Sequence, residues 1–223
     1  MAKVKTTFFC QNCGAPSAKW IGKCPSCNEW NTYVEEVVAS SASQIPAWRA
    51  SGKGDAMGRQ ATPQLLGDIA PDKLVRINLP GKELNRVLGG GLVPGALVLV
   101  GGEPGIGKST LMLQIAMRAK GMKILYISGE ESEQQISIRA SRIGHVNTDC
   151  YILTETNTHA IFRHIETVKP DLLIIDSIQT LFSPDIESTP GTVSQIRGCA
   201  GDLLKFSKET STPVFLVGHI TKD

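Results

Sequence analysis

Apolar residues along this chain follow two rhythms. Residues 96–100, 123–127, 171–176 and 213–217 are short runs, rich in β-branched side chains and almost free of polar interruption. Such runs predict strands buried on both faces. Between them Leu111, Met112, Ile115, Ala116 and Ala119 recur at helical spacing, and helical periodicity also covers 133–143, 158–168 and 193–207. Strand and helix in alternation predict an α/β domain, with a mostly parallel sheet and helices on both faces. No internal repeat is visible in the pattern.

The rhythm is different upstream. Residues 8–38 hold four cysteines, Trp20 and Trp30, and an apolar exit at Tyr33, Val34, Val37 and Val38, and read as a compact module. Residues 39–64 turn to Ser, Ala and Gly with scattered Lys and Arg, the composition of a flexible linker. The α/β domain is then expected over 65–223.

Length and composition agree with one α/β domain plus a small appendage: 223 residues, 41% hydrophobic and 20% charged. No apolar stretch approaches the roughly 18 residues that span a bilayer. Cys10 and Cys13 interrupt any apolar core of a secretory signal, so a cytoplasmic protein is expected. A net charge of +2 neither demands nor excludes nucleic acid.

Gly102, Glu103, Pro104, Gly105, Ile106, Gly107, Lys108 and Ser109 match GxxxxGK[ST] without a gap, directly after a predicted strand and before a predicted helix. Glycines let successive N–H groups converge on phosphates, and the helix N-terminus adds a favourable dipole. Lys108 would reach the terminal phosphates of ATP, the Ser109 hydroxyl would meet Mg²⁺, and Thr110 is a further candidate beside the α-phosphate. The bland alternative is a glycine-rich turn followed by a chance Lys-Ser. A metal in such a site needs a carboxylate. Asp176 supplies one at the C-terminal end of a predicted strand, where α/β sheets hold ligands, unless it serves only as a helix cap.

Hydrolysis requires a group to orient or deprotonate water. Glu130 follows the second strand and is the candidate base, with Glu131 the reserve; the alternative role, a first-turn acid for the next helix, fits Glu131 or Glu133 at least as well. Gln179 and His219 stand where strands end and are candidates to sense a γ-phosphate, or are ordinary hydrogen-bonded residues.

Cys10-x-x-Cys13 and Cys24-x-x-Cys27 place two knuckles ten residues apart, each able to give two thiolates to one tetrahedral Zn²⁺. A redox CxxC pair and a rubredoxin-like iron site are the alternatives. Four protein ligands leave a zinc ion no open position, so the module is expected to be structural or recognitional.

The paired knuckles, LNRVLGGGLVPG at 84–95, GGEPGIGKST, YISGEES, DLLIIDSIQT and the terminal VGHITKD together resemble the N-terminal part of the RadA (Sms) family of bacterial DNA-repair proteins, within the RecA- and KaiC-like P-loop ATPases. The resemblance implies a RecA-like core and a ring-forming, DNA-stimulated ATPase, a homo-hexamer when full length. It implies binding to single-stranded DNA and branch migration of recombination intermediates, alongside a RecA-type recombinase. By position, residues 183–195 match the first DNA-binding loop of RecA-type folds; Arg197 is the nearest fixed positive charge, and Asp185 and Glu187 make the loop acidic. Family chains continue past the VGHITKD strand into a second loop, a KNRFG element and a Lon-protease-like domain, so the ATPase domain is expected to be truncated after Asp223. The alternative function is a nucleotide-switched, KaiC-like interaction module that does not translocate on DNA.

Overall fold

The computed structural model describes residues 5–38, 65–68, 75–144 and 147–219. The expected linker at 39–64 lies outside them.

The N-terminal module is an antiparallel sheet of β1 (Lys5–Cys10), β2 (Pro16–Ser17) and β3 (Tyr33–Val38), in the order β2-β1-β3. Its core consists of Cys10, Cys24 and Tyr33, with Phe8, Cys13, Ala15, Ile21 and Cys27 partly buried around them. So little apolar area is a weak offset to the entropy of ordering the chain, and a metal held by the four cysteines would supply folding energy that this core lacks.

The second sheet has five parallel strands: β4 (Leu97–Gly102), β5 (Ile124–Ser128), β6 (Cys150–Thr154), β7 (Leu172–Asp176) and β8 (Val214–His219), ordered β4-β8-β7-β5-β6. The helices are α1 (Lys82–Val87), α2 (Lys108–Arg118), α3 (Glu133–Ile143), α4 (Thr158–Val168) and α5 (Val193–Thr210). Successive strand residues point to opposite faces. Accordingly Leu125, Ile127, Leu173, Ile175 and Leu216 pack with α4 and α5 through Ile161, Phe162, Leu203 and Phe206. Their neighbours Ile124, Tyr126, Leu172, Ile174 and Phe215 pack with α2 and α3 through Met112, Leu113, Ala116 and Ile136. Both faces are therefore covered, which is why the strands read as unbroken apolar runs.

Side-chain caps define three of the helix starts. Ser132 and Gln135 form a reciprocal capping box at α3, Asn157 accepts from His159 and Ala160 at α4, and Thr192 accepts from Gln195 at α5. Two expectations need correction. Burial on both faces holds for β5 and β7 but fails for β4, which lies at an edge of the sheet and leaves Leu99 60% exposed. The other edge strand, β6, and the short α1 were not anticipated: the Cys-Tyr-Ile-Leu run of β6 carries the same apolar signal as the other strands and went unread, and the six residues of α1 are too few to show a helical period.

Candidate nucleotide site and four-cysteine centre

The parallel order brings the C-terminal ends of β4, β8, β7 and β5 side by side, about 4.8 Å apart. The loops leaving those ends form one crevice. Gly105 and Gly107 adopt left-handed φ angles of 81° and 96°, and Gly107 caps α2. A Cβ at either would meet nothing within 4 Å, so the concave side of the loop is open, whereas at Gly102 it would strike Ile106 Cδ1 at 2.5 Å. Glu103, Pro104 and Ile106 lie on the exposed part of the loop, and Thr110 is half-buried in the first turn of α2.

Lys108 is 7% exposed. Its ammonium donates to the carbonyls of Gly102 at 2.8 Å and Glu103 at 2.7 Å and to Nδ1 of His219 at 3.2 Å. A preorganised cation under an open ring of amides fits a polyphosphate.

Asp176 is buried at the end of β7. Its Oδ1 accepts from the Ser109 hydroxyl at 3.1 Å, and its Oδ2 accepts a short hydrogen bond from the phenol of Tyr126. Burial and then the neighbouring Asp176 charge push the Tyr126 hydroxyl far above the usual tyrosine range, so it is a neutral donor at all ordinary pH. A hydroxyl facing a carboxylate across the loop is the hard-oxygen pair that Mg²⁺ takes alongside phosphate oxygens.

The turn after β5 positions Glu130. Ser128 Oγ accepts from the N–H of Glu131 at 3.0 Å and of Glu130 at 3.4 Å, while Gly129 N–H donates to Asp176 O at 3.0 Å. Glu130 Oε1 accepts from Ser177 Oγ at 2.5 Å and lies 3.3 Å from His219 Nε2. An ammonium can only donate, so His219 Nδ1 is an acceptor, and the neutral ring carries its proton on Nε2 and donates to Glu130. Gln179 Nε2 donates to the His219 carbonyl at 3.1 Å, and its buried Oε1 has no partner among the described residues. Lys108, Glu130, Gln179 and His219 thus form one connected polar cluster. Glu131 points elsewhere, to an ion pair with Arg139 at 2.7 Å. A cavity of about 210 Å³ opens beside Glu130, lined by residues 128–131 and 154–156.

Sequence reasoning missed Tyr126 and Ser177. Ser177 could have been noticed as a polar residue abutting the strand-ending Asp176. Tyr126 sits in a continuous apolar run, and only the register of β5 against β7 aims its hydroxyl at the carboxylate.

In the N-terminal module the four Sγ atoms of Cys10, Cys13, Cys24 and Cys27 lie within 4.8 Å of one another, with Cys10 and Cys27 3.7 Å apart and Cys13 and Cys24 3.5 Å apart. A tetrahedral zinc site with Zn–S near 2.3 Å requires sulfurs about 3.8 Å apart, so the donor set fits. Burial alone would raise the Cys24 thiol, but the Tyr33 hydroxyl and the N–H groups of Cys27 and Ser26 bring it down to about 6. For Cys13 the Ala15 N–H favours the thiolate, yet burial and the surrounding thiols push it up to about 12. The first knuckle also touches the second sheet's domain: Arg197 Nη1 on α5 donates to Gly14 O at 2.7 Å. That guanidinium, two residues beyond the 183–195 segment, is therefore engaged by the ribbon. The loop is pinned by the buried amide of Gln195, which bonds Ser183 N at 2.8 Å, Ile186 O at 2.8 Å and Ser188 O at 2.9 Å.

Comparison with known proteins agrees with the fold and with a ribbon built on the four cysteines. A family profile described as AAA domain matches residues 68–223, and a zinc-ribbon profile described as a rubredoxin metal binding domain matches residues 8–35. The chain is 49% identical over 224 residues to the DNA repair protein RadA of Halalkalibacterium halodurans and 44% identical over 225 residues to that of Bacillus subtilis. In both it is aligned over 100% of its length to 48% of the relative. It thus spans about half the length of the curated relatives it matches. Among solved structures, a KaiC-like protein of Pyrococcus horikoshii shares the fold, with a TM-score of 0.53 at 20% identity over 67% of this chain and 72% of that one. No described helix is long and apolar enough to cross a membrane. The chain belongs to the AAA domain family and, within it, to the RadA group, of which it matches the N-terminal portion.

Proposed function

We propose that this chain binds Mg²⁺ and ATP and hydrolyses the γ-phosphate, and that the cytoplasmic protein it belongs to uses this activity in DNA repair. The reading is carried by one observation: the phosphate-loop Lys108, the Ser109–Asp176 pair and Glu130 share a single crevice. The loop amides from Gly102 to Ser109 and the Lys108 ammonium would hold the phosphates, with Thr110 beside the α-phosphate. Ser109 and Asp176 would hold the Mg²⁺, which when bound neutralises charge developing on the phosphate oxygens. Glu130 would orient and deprotonate the attacking water. His219 and Gln179 would register the terminal phosphate, because Lys108 cannot turn fully to a nucleotide without leaving the His219 ring. Four thiolates would close the zinc site and leave it structural.

The relatives, named as DNA repair proteins, support DNA repair as the task of the whole protein, with single-stranded DNA and recombination intermediates as its proposed substrates. In that setting branch migration, a RecA-type recombinase partner and a hexameric ring are part of the proposal. One observation favours a KaiC-like, nucleotide-switched module instead: Arg197 is tied to Gly14, beside a loop bearing Asp185 and Glu187. ATP hydrolysis measured with and without single-stranded DNA separates the two. A DNA-repair motor is expected to speed up with DNA, and a rate indifferent to it would support the switch.

A further inference from the structure

Tryptophan is among the most buried residue types on average, since its large apolar surface is costly to leave in water. In the cysteine module both tryptophans are nevertheless exposed, Trp20 by 53% and Trp30 by 67%. They come from opposite sides of the second knuckle and meet over Gly22: a Cβ there would stand 3.7 Å from Trp20 Cη2 and 3.8 Å from Trp30 Cζ3. The absence of a side chain at Gly22 leaves the edges of both indoles open over the same spot, so the two rings flank one exposed surface.

That surface is built rather than incidental. Trp20 is locked by an Nε1–H bond to Tyr33 O at 3.2 Å, and the turn leading to it is closed by Ser17, whose hydroxyl donates to Lys19 O at 2.5 Å. Trp30 is fixed through the bridge between Lys23 and Trp30 and the bond from Asn31 N to Gly22 O at 2.7 Å. The Trp30 anchors lie in the loop that carries Cys24 and Cys27, and the Trp20 anchor lies on β3, so both rings are tied to the backbone around the four cysteines.

The surroundings select the partner. Lys23 Nζ lies 5.7 Å from the Trp30 ring centre, and Lys19 precedes Trp20; both lysines are exposed, as is Glu29 at the rim. Lysine is depleted at protein–protein interfaces, whereas two open rings edged by ammonium groups match stacked bases joined by phosphates. We propose that Trp20 and Trp30 form a base-stacking platform on the ribbon, which holds single-stranded nucleic acid without sequence preference while Lys19 and Lys23 meet its backbone. The proposal rests on the DNA reading above and locates a DNA contact on the ribbon, away from the nucleotide crevice.

The test is the affinity of the zinc-loaded chain for a fluorescent oligothymidylate, read by anisotropy across a salt series. Trp30→Ala removes an exposed ring without a hydrogen bond and is expected to weaken binding about 10-fold or more, with Trp30→Phe recovering most of it. Lys23→Gln should reduce the salt slope by about one phosphate contact. Zinc content and nucleotide binding should match the parent chain in all three variants. Parent-like oligothymidylate binding by zinc-replete Trp30→Ala overturns the platform and leaves the DNA reading intact. A parent chain that binds no oligothymidylate at any salt overturns both. Unchanged DNA affinity together with lost capture of a recombinase filament would make the rings a protein contact and also overturn the proposal.

Discussion

The Tyr126 hydroxyl and the Asp176 carboxylate are joined across β5 and β7 inside the core, and the second oxygen of the same carboxylate faces Ser109. The strand-end acid is therefore held from both sides. Tyr126→Phe keeps the volume and removes the donor, leaving Oδ2 buried without a partner. Stability should fall by about 1–3 kcal/mol. Half-maximal hydrolysis should need about 10-fold more Mg²⁺, as when a partner that orients a metal ligand is lost. Denaturant unfolding and a Mg²⁺ titration check the two effects, and an unchanged Mg²⁺ requirement would remove Tyr126 from the site.

Lys108 and Glu130 are bridged by His219, yet their proposed tasks differ. Lys108→Ala should abolish tight nucleotide binding, because a cation preorganised for a polyanion is gone. Glu130→Gln should leave binding near normal and slow hydrolysis by roughly 100-fold to 10,000-fold. Calorimetry with Mg·ATP and single-turnover hydrolysis separate these outcomes; equal loss of binding in both variants would contradict the division of labour.

Gly129 has no room for a side chain. A Cβ there would lie 2.0 Å from Thr180 Oγ1 and 3.0 Å from Thr156 Cγ2. Gly129→Ala should therefore push the turn outward, cost about 1–3 kcal/mol, and displace Glu130 from Ser177. Hydrolysis should drop further than nucleotide binding, and a variant with parent-like turnover would show that the turn yields without consequence.

For the metal centre, acid is the informative perturbation. The Cys24 thiol stands at about 6 in the folded module against an ordinary value of 9.0. A depressed pKa contributes stability that is fully present above the ordinary value and is lost as pH falls through the folded one. Zinc release, followed with a metal indicator, should accordingly rise as pH drops from about 7 towards 5, with the proton competing for the thiolates. Chelator treatment at neutral pH should unfold the module while the ATPase domain keeps its secondary structure. Complete metal removal with an unchanged spectrum would count against a structural zinc.

Local chemistry made much of this protein legible along the chain. The phosphate loop, the paired knuckles and the strand-ending Asp176 each depend on residue types at fixed spacing, and the buried strands show as apolar runs because both faces of the sheet are covered. The preference for Glu130 over Glu131 had no local physical ground there. Two adjacent acids after one strand are equivalent in sequence, and only the packing of α3 gives Glu131 to Arg139 while Ser177 and His219 take Glu130.

Sequence alone determined the fold class and singled out the glycine-rich loop and the four cysteines as the candidate sites, since periodicity and short-range spacing encode both directly. Tertiary structure decided that Tyr126 holds Asp176, that His219 joins Lys108 to Glu130 and that Arg197 is engaged by the ribbon. Those relationships link residues far apart in the chain, and their distances are set by strand order and packing, which no local pattern specifies.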